Sequence, residues 1–365
     1  MHPHILRQFG YEDLLLQFCA VNPGPTADLI LPTLKPSDLV PHTYESFANE
    51  LAQERNNLVT LDAKPTDPFP PRCLTYVTDF LYAADVSPPD PAFLLGCSCT
   101  NEDPAAPACG TPNSGCSCAE RVTHDQPTST YKPGPKSRAK GRKRPPAALH
   151  SGHYNEERRL IAAKRGDRRT VGVAECAAQC MCPPQCTNRV VQHGVQVRMV
   201  VRYDKYKGWA AIADQDVIAG TFVAQYLGEV VTVDEAHART LTYNRLGYST
   251  YLYDMDFWAN EMEDMGLPGI KFAIDAQFKG NVARFFNHSC DANLLAAAVL
   301  YDAAEPHHHR LAFFARRDIK RGEELCFDYQ GGREETGDDA GSLPEFERLR
   351  FECHCGSANC RKVIF

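Results

Sequence analysis

Short apolar runs broken by Gly, Asn and Asp make up most of the chain between residues 190 and 330. Segments such as GWAAIADQDVIAGTFVAQYLGEVVT and HRLAFFARRDIKRGEELCFDYQG are rich in β-branched and aromatic residues, as strands are. Within this region the apolar spacing of an amphipathic helix occurs in VDEAHARTLTYNRL, residues 233–246. The pattern predicts a mainly β domain that carries one helix.

The region before residue 97 mixes apolar and proline-rich segments and contains no catalytic or binding motif that we can identify. Its pattern predicts a helix over residues 44–56. It also predicts a strand over residues 73–82, because CLTYVTDFLY is β-branched and aromatic. We therefore expect residues 1–96 to form an N-terminal extension that packs on the core.

The composition is that of a folded protein, since 43% of the 365 residues are hydrophobic and 23% are charged. No run of about 18 apolar residues occurs, so we expect no membrane span. The first residues lack a basic segment followed by a long apolar core, so we expect no secretory signal. A formal charge of -7 argues against a protein that coats nucleic acid over its whole surface.

Sixteen cysteines are the unusual feature of the composition. In a reducing compartment disulfides are rare, and clustered cysteines indicate metal ligands instead. Nine of the cysteines fall into two closely spaced groups: Cys97, Cys99, Cys109, Cys116, Cys118, Cys176, Cys180, Cys182 and Cys186.

These nine thiolates suit three zinc ions better than isolated four-ligand sites. The roughly twelve coordination places on three tetrahedral ions are filled if six thiolates are terminal and three bridge two ions each. Such a cluster carries excess negative charge and needs hydrogen-bond donors, and Arg189 follows it directly. Two ordinary zinc fingers with a spare cysteine, or free buried thiols, are the alternatives, although the close C-x-C spacing favours the bridged cluster.

A second group of cysteines lies near the C-terminus, where Cys353, Cys355 and Cys360 supply three ligands of a four-ligand zinc site. Cys290, in RFFNHSC, is the best candidate for the fourth ligand, so that one metal ties the tail to that segment. The three histidines at 307–309 lie in the polar stretch PHHHR, and we interpret them as a solvated loop rather than a metal site.

The stretch YKPGPKSRAKGRKRPP, residues 131–146, has seven Lys or Arg residues and no acidic residue. A basic block with Pro and Gly is typical of a solvated loop, so we expect this stretch to be unstructured, within a basic insert over about residues 120–170. Nuclear targeting, or contact with the phosphates of nucleosomal DNA, is the functional alternative.

The order of a Cys-rich block, GW, YLGE, RFFNHSC, ELCFDY and C-x-C-x4-C resembles the SET-domain protein lysine methyltransferases of the suppressor-of-variegation 3-9 class. The resemblance is closest to the fungal histone H3 lysine-9 enzymes of the type without a chromodomain. It covers about residues 97–365, and RFFNHSC followed by ELCFDY is its most specific part.

The resemblance implies a mainly β SET fold of small curved sheets, with a pseudoknot that brings NHSC and FDY together. The expected division of the chain is a pre-SET trinuclear zinc cluster at residues 97–189, a SET catalytic domain at 190–330, a linker at 331–348 and a post-SET zinc tail at 349–365.

The implied activity is methyl transfer from S-adenosyl-L-methionine to lysine 9 of histone H3, to the trimethyl state, in heterochromatin. The implied partners are the histone H3 tail and recruiting chromatin proteins, and the implied location is the nucleus and chromosome. A methyltransferase for a non-histone lysine and a catalytically weak SET scaffold are the alternatives. Intact Tyr226, Asn287, His288 and Tyr329 disfavour the scaffold.

Methyl transfer to a lysine requires a neutral and correctly oriented amine, and tyrosine side chains suit both requirements. The lysine must be neutral, although its reference pKa is about 10.4, and desolvation beside a sulfonium lowers that value. By resemblance, Tyr329 is the catalytic tyrosine and Tyr226 is the second tyrosine of the lysine channel. Phe327 occupies the position that influences methyl number, and Phe there favours di- or trimethylation.

The resemblance also assigns cofactor and substrate contacts. Asp256 matches an acidic position that holds the substrate peptide, which suits a cationic histone tail. Phe365 stands where an aromatic residue caps the cofactor. The full set of cofactor contacts implied is Lys207, Gly208, Trp209, Tyr251, Arg284, Asn287, His288, His354 and Phe365.

Overall fold

Strands make up most of the regular structure in the computed structural model of the chain, which confirms the prediction of a mainly β fold. The structure describes residues 43–64, 67, 74–90, 96–99, 109, 116, 118, 154–161, 171–245, 251–264, 266, 268–303, 305–330 and 351–364.

The first sheet has three strands in the order β1-β5-β6. β1 (Val59–Asp62) runs parallel to β5 (Met199–Asp204), and β5 is antiparallel to β6 (Gly208–Ala213). Met199 and Val201 of β5 are buried while Arg202 points to solvent, so the alternating pattern of one covered face is preserved.

The second sheet has four strands in the order β3-β8-β10-β9. Its strands are β3 (Leu81–Tyr82), β8 (Glu229–Thr232), β9 (Leu252–Asp254) and β10 (Phe272–Asp275). All four residues of β10 are buried, which fits its central position, and β9 forms one edge.

The third sheet has four strands in the order β4-β13-β14-β7. They are β4 (Val171–Ala174), β7 (Phe222–Gln225), β13 (Leu294–Leu300) and β14 (Arg310–Ala315). Every residue of β14 is buried, because apolar clusters cover both faces of this sheet.

Three two-stranded ladders complete the described β structure. They pair β2 (Thr75–Tyr76) with β11 (Lys279–Gly280), β12 (Asn287–His288) with β15 (Cys326–Phe327), and β16 (Phe351–Glu352) with β17 (Val363–Ile364).

Helices are few and short in the described residues. The α-helices are α1 (Tyr44–Leu51), α2 (Val233–Arg245) and α3 (Ala259–Asp264). The 3-10 turns are Arg55–Asn57, Val191–His193, Val282–Phe285 and Pro306–His308. The helix expected over residues 233–246 is confirmed as α2, but the expectation of one helix in this domain is wrong, because α3 also lies there.

The helix expected over residues 44–56 is too long by more than a turn, since α1 ends at Leu51. Thr43 caps its start by accepting a hydrogen bond from the Ser46 backbone N–H at 3.1 Å. After α1, Asn56 and Asn57 have φ values of 60° and 52°, and this left-handed conformation cannot continue an α-helix.

The strand expected over residues 73–82 is wrong as a single element, because the chain forms β2 and β3 there and changes partner between them. The Val77 N–H donates to the carbonyl of Gly280 in one ladder, and the Leu81 N–H donates to that of Gly228 in another sheet. Between them Asp79 pairs with Arg310 of β14, its Oδ1 lying 2.5 Å from Nη1.

The interpretation of the histidines at 307–309 as a solvated loop is also wrong. Their exposures are 6%, 8% and 2%, because the connection between β13 and β14 folds back onto the second sheet. The ring of His308 lies 4.8 Å from that of Phe272. Burial lowers the pKa of His309 to about 4, so the imidazole stays neutral near pH 7.

Several predicted features lie outside the described residues: the basic stretch 131–146, the linker 331–348 and Phe365. Among the residues described, no helix has the length and apolar character that a bilayer crossing requires.

Candidate active site and metal centres

Parallel pairing of β12 with β15 creates the site by joining two motifs that are distant in sequence. Asn287 lies opposite Cys326, and His288 lies opposite Phe327. The backbone N–H of Ser289 also donates to the carbonyl of Phe327 at 3.1 Å. The predicted meeting of NHSC with FDY is therefore confirmed.

Aromatic rings form a continuous wall beside this ladder. The ring centroid of Phe327 lies 4.6 Å from that of Tyr329 and 6.1 Å from that of Tyr253, and Tyr253 lies 5.9 Å from Tyr226. Phe313 also belongs to the wall, since its ring centroid lies 4.7 Å from that of Phe327 and 6.4 Å from that of Tyr226. The structure thus brings together the three residues predicted to form a lysine channel.

Two of the three tyrosine hydroxyls of this wall, those of Tyr226 and Tyr329, are held by backbone carbonyls. Tyr226 donates to the carbonyl of Tyr251 at 2.9 Å, and Tyr329 donates to that of Phe286 at 3.0 Å. Desolvation raises the pKa of both phenols well above the ordinary value, although Tyr329 is 36% exposed, and the nearby Tyr226 raises the pKa of Tyr329 further. Both therefore keep their protons at neutral pH, so they can orient a ligand but cannot act as charged bases.

Two of the predicted cofactor residues, Lys207 and Asn287, contact one carboxylate, that of Glu324. Asn287 donates to Glu324 Oε1 at 3.0 Å and to the carbonyl of Trp209 at 3.4 Å. Lys207 forms a salt bridge with Glu324, which raises the pKa of the ammonium against the opposing effect of burial. Gly208, between Lys207 and Trp209, has φ +82° and open space around its α-carbon, so the backbone there is accessible to a ligand.

Arg284 and Tyr251 form a second part of the candidate cofactor pocket. The guanidinium carbon of Arg284 lies 4.0 Å from the centroid of the Tyr251 ring, and its Nε and Nη2 donate to the carbonyls of Ala276 and Gln277. Its Nη1 is buried without a hydrogen-bond partner in the described residues. An unsatisfied buried donor of this kind fits a ligand that brings an acceptor oxygen.

The other predicted contacts are spread around this centre. His288 is buried, and its Nδ1 accepts from the Tyr329 backbone N–H at 3.2 Å. His354 is exposed and stacks on Tyr206, in the turn before Lys207, with ring centroids 6.1 Å apart. Asp256 is half-buried just after β9.

Three residues of this region were not predicted from the sequence. Glu324 stands inside the motif ELCFDY and Tyr253 inside TYLYDMD, so motif position was an available signal. Phe47 gave no signal. It lies on α1, fully buried, with its ring 5.8 Å from that of Trp209, so the N-terminal region supports the cofactor pocket from behind.

The nine cysteines between residues 97 and 186, the cysteine cluster, lie together. The sulfurs form three overlapping groups of four, each within 4.8 Å, and Cys176 belongs to all three. Cys97 and Cys109 each belong to two. Cys99 packs against the cluster beside Cys97, Cys109 and Cys116, although its sulfur is in none of these groups.

Shared sulfurs favour the bridged cluster over two separate zinc fingers. Sulfur–sulfur distances run from 2.9 to 3.9 Å between paired cysteines of the cluster. Four thiolates at about 2.3 Å from a tetrahedral zinc lie at a similar spacing. All fourteen cysteines that the structure describes are free, so disulfides do not explain their proximity.

Hydrogen-bond donors surround the cysteine cluster, as its excess negative charge requires. The Cys180 sulfur accepts from the backbone N–H groups of Cys97 and Ala177, at 3.3 and 3.1 Å. Arg189 Nη2 lies 3.6 Å from the sulfur of Cys182, in the role predicted for it. This donor set fits thiolates bound to zinc.

The four cysteines Cys290, Cys353, Cys355 and Cys360, the tail site, also lie within 4.8 Å of one another. The prediction that Cys290 completes the C-terminal set is confirmed by this arrangement. Cys290 follows His288 by two residues, so the tail site adjoins the β12–β15 ladder. All four donors are sulfurs, which fits a closed structural zinc site.

Comparison with known proteins finds family models that match both the region of the β12–β15 ladder and the region of the cysteine cluster. The sequence model of the SET domain matches residues 208–330, and that of the Pre-SET motif matches residues 51–189. A histone-lysine N-methyltransferase of Schizosaccharomyces pombe, H3 lysine-9 specific, is 33% identical over 355 residues, or 93% of this chain and 63% of that protein. The chain thus spans less than two thirds of that relative's length.

Two further matches cover more of a relative or report its ligands. The histone-lysine N-methyltransferase SUV39H2 of Xenopus tropicalis is 32% identical over 99% of this chain and 80% of that protein. The crystal structure of KRYPTONITE in complex with mCHH DNA, an H3(1-15) peptide and SAH has a TM-score of 0.58 and 25% identity, over 84% of this chain and 51% of that one.

These matches agree with the paired motifs, the aromatic wall and the cysteine sites. They confirm the resemblance found in the sequence, and the chain belongs to the suppressor-of-variegation 3-9 family of SET-domain histone-lysine N-methyltransferases.

Proposed function

We propose that this protein transfers methyl groups from S-adenosyl-L-methionine to lysine 9 of histone H3. The observation that carries the proposal is the convergence of Tyr226, Phe327 and Tyr329 beside Asn287 and His288. The Schizosaccharomyces pombe relative is H3 lysine-9 specific, and KRYPTONITE binds an H3 peptide and SAH, which supports the same substrate and cofactor here.

The aromatic wall accounts for how an amine becomes reactive. A lysine in water has a pKa of about 10.4 and is charged. Aromatic side chains desolvate it and favour the neutral amine. Because the phenols of Tyr226 and Tyr329 stay protonated, neither takes the lysine proton, so the proton leaves through water. The work of the channel is alignment of the amine.

S-adenosyl-L-methionine supplies an electrophilic methyl group when bound. Lys207, Arg284 and Asn287 hold it through charge and hydrogen bonds, and the open backbone at Gly208 admits its approach. Arg284 meets an acceptor oxygen with the Nη1 that no other described group satisfies. Trp209, Tyr251 and His288 complete the pocket, and His354, which stacks on Tyr206, borders it from the tail. Phe365 lies outside the described residues, and its contact with the cofactor stays a prediction.

Phe327 supports di- or trimethylation. Its ring is 6% exposed and lies between Phe313 and Tyr329, and it has no hydroxyl that could hold a water molecule in the channel. A methylated amine can therefore rotate and present its lone pair again.

The proposed substrate is the cationic histone H3 tail. Asp256 follows β9, an edge strand of the second sheet, and provides negative charge beside the channel. We also propose zinc in the cysteine cluster and the tail site, and a location in the nucleus at heterochromatin. Contact of the basic stretch with nucleosomal DNA and binding of recruiting chromatin proteins stay predictions.

Labelled methyl donor and H3 tail peptides test the proposal. We expect transfer to the wild-type peptide and none to a peptide with lysine 9 replaced by arginine, because that side chain stays charged. Transfer that survives the replacement moves the target to another lysine. Binding of the peptide without any transfer identifies a scaffold instead of an enzyme.

A further inference from the structure

Arg361, next to the last cysteine of the tail site, reaches from the tail into the motif that carries Tyr329. Its Nη1 and Nη2 lie 3.0 and 2.5 Å from the two oxygens of Asp328, so the guanidinium and the carboxylate form a bidentate ion pair. Nη2 also lies 3.4 Å from His288 Nε2. Side-chain exposures of 28% and 15% for Arg361 and Asp328 place this pair largely out of solvent.

Asp328 connects this ion pair to the backbone around Tyr329. It directly precedes Tyr329, and its Oδ1 accepts from the backbone N–H of Gln330 at 3.1 Å. Tyr329 is fixed at the same point, because its own N–H donates to His288 Nδ1 at 3.2 Å. Arg361 therefore contacts both residues that hold the backbone around Tyr329.

The same arginine is bound to the metal site by a different atom. Its backbone N–H donates to the sulfur of Cys290 at 3.3 Å. The backbone of Arg361 thus contacts the tail site, and its side chain contacts the motif that carries Tyr329. Truncation of the side chain separates the two roles, since it leaves the backbone donor in place.

We propose that Arg361 is a positioning residue that transmits the order of the tail site to Tyr329 through Asp328. The inference rests on the proposed function, in which Tyr329 orients the reacting amine. A bidentate pair fixes direction as well as distance, which a single ammonium cannot do. Without the Arg361–Asp328 pair, the tail site keeps its metal, but the backbone of Tyr329 is less firmly held.

The experiment compares Arg361→Ala, Asp328→Asn and the double variant with wild-type protein. Each is measured for zinc content, for kcat and KM with an H3 tail peptide, and for hydrogen exchange in the segment 324–330. In Arg361→Ala we expect unchanged zinc, a kcat about tenfold to hundredfold lower because Tyr329 is displaced, a KM changed less than about threefold, and faster exchange of the Tyr329 and Gln330 amides.

Two variants sharpen the result. Arg361→Lys recovers part of the lost kcat, because one ammonium replaces one of the two contacts. Arg321→Ala removes a matched arginine from an exposed pair with Asp214, at 2.9 Å, and leaves zinc, kcat and exchange unchanged. The double variant is no slower than the slower single variant, since both single changes break the same pair.

Loss of zinc from Arg361→Ala, additive losses in the double variant, or unchanged exchange and kcat each overturn the proposal. If the wild-type protein methylates no H3 peptide, the proposed function fails instead. The exchange of residues 324–330 still decides the role of Arg361 in that case.

Discussion

The cysteine cluster and the tail site use the same ligands in opposite surroundings. In the cluster, eight of the nine sulfur-bearing residues are at most 7% exposed, and the cysteines form a buried core of their own. In the tail site, Cys355 and Cys360 are half-exposed and Cys290 comes from the segment of Asn287 and His288. The cluster replaces a hydrophobic core, whereas the tail site joins a small C-terminal segment to the active site.

The difference indicates a division of labour between the metals. Loss of the cluster should disrupt the fold around it, because the buried core there consists of the cysteines themselves and Ala177. Loss of the tail metal should leave the sheets intact and loosen one wall of the cofactor pocket. Four substitutions, two of them with a matched variant, test this division.

Cys176→Ser should have the largest effect. Cys176 belongs to all three sulfur groups of the cluster, so its loss disturbs every ion bound there. Structural zinc contributes about 10–16 kcal/mol to folding in small domains, which exceeds the net stability of most of them. We expect zinc, measured by mass spectrometry, to fall from about four per chain to about one, with loss of soluble protein.

Cys326→Ser is the matched control, because Cys326 is 6% exposed and belongs to none of the four groups found in the described residues. It should keep about four zinc per chain. A Cys176→Ser protein that also keeps its full zinc content contradicts the shared cluster.

Tyr329→Phe should have the next largest effect, with both metal centres intact. It removes one hydroxyl that orients the amine, and loss of a comparable donor costs about 10²–10³-fold in kcat. Affinity for S-adenosylhomocysteine, measured by calorimetry, should change less than about twofold, since the cofactor contacts are elsewhere. Equal losses of turnover and cofactor affinity would show that the hydroxyl supports the fold.

Cys290→Ser should be milder than Tyr329→Phe, because it loosens the site without removing a group that contacts the amine. We expect loss of one zinc, a turnover about tenfold to hundredfold lower, weaker cofactor binding, and an unchanged thermal midpoint for the sheets. Cys360→Ser, in the tail, should match it in every measurement. A large difference between the two would mean that Cys290 acts through its neighbours His288 and Asn287 and not through the metal.

The sequence was most informative where a motif has a chemical requirement. Cysteine spacing indicated the cluster and three ligands of the tail site. The motifs around Asn287 and Tyr329 indicated the fourth ligand, Cys290, and which segments meet. Few other side chains can take the place of these residues at a metal or cofactor site, so the residue types alone indicate where the sites are.

Long-range packing left no comparable signal. β1 pairs in parallel with β5, with Val59 opposite Met199, and β2 and β3 are two residues long, too short for an alternating pattern. The buried histidines at 307–309 look polar in sequence because the aromatic partner Phe272 is supplied by another sheet. The support that Phe47 gives to Trp209 is hidden for the same reason.

Phe327→Tyr should have the smallest effect on turnover and none on either metal centre, which makes it a test of the channel alone. The new hydroxyl enters a wall where Phe327 is 4.6 Å from Tyr329 and 6.1 Å from Tyr253, so it can hold a water molecule near the amine. That water competes for the space a methylated amine needs to rotate. Mass spectrometry of the H3 peptide should therefore show a shift from trimethylated toward mono- and dimethylated product at a similar first-turnover rate. An unchanged product distribution with full zinc content would assign the control of methyl number to the opposite side of the channel.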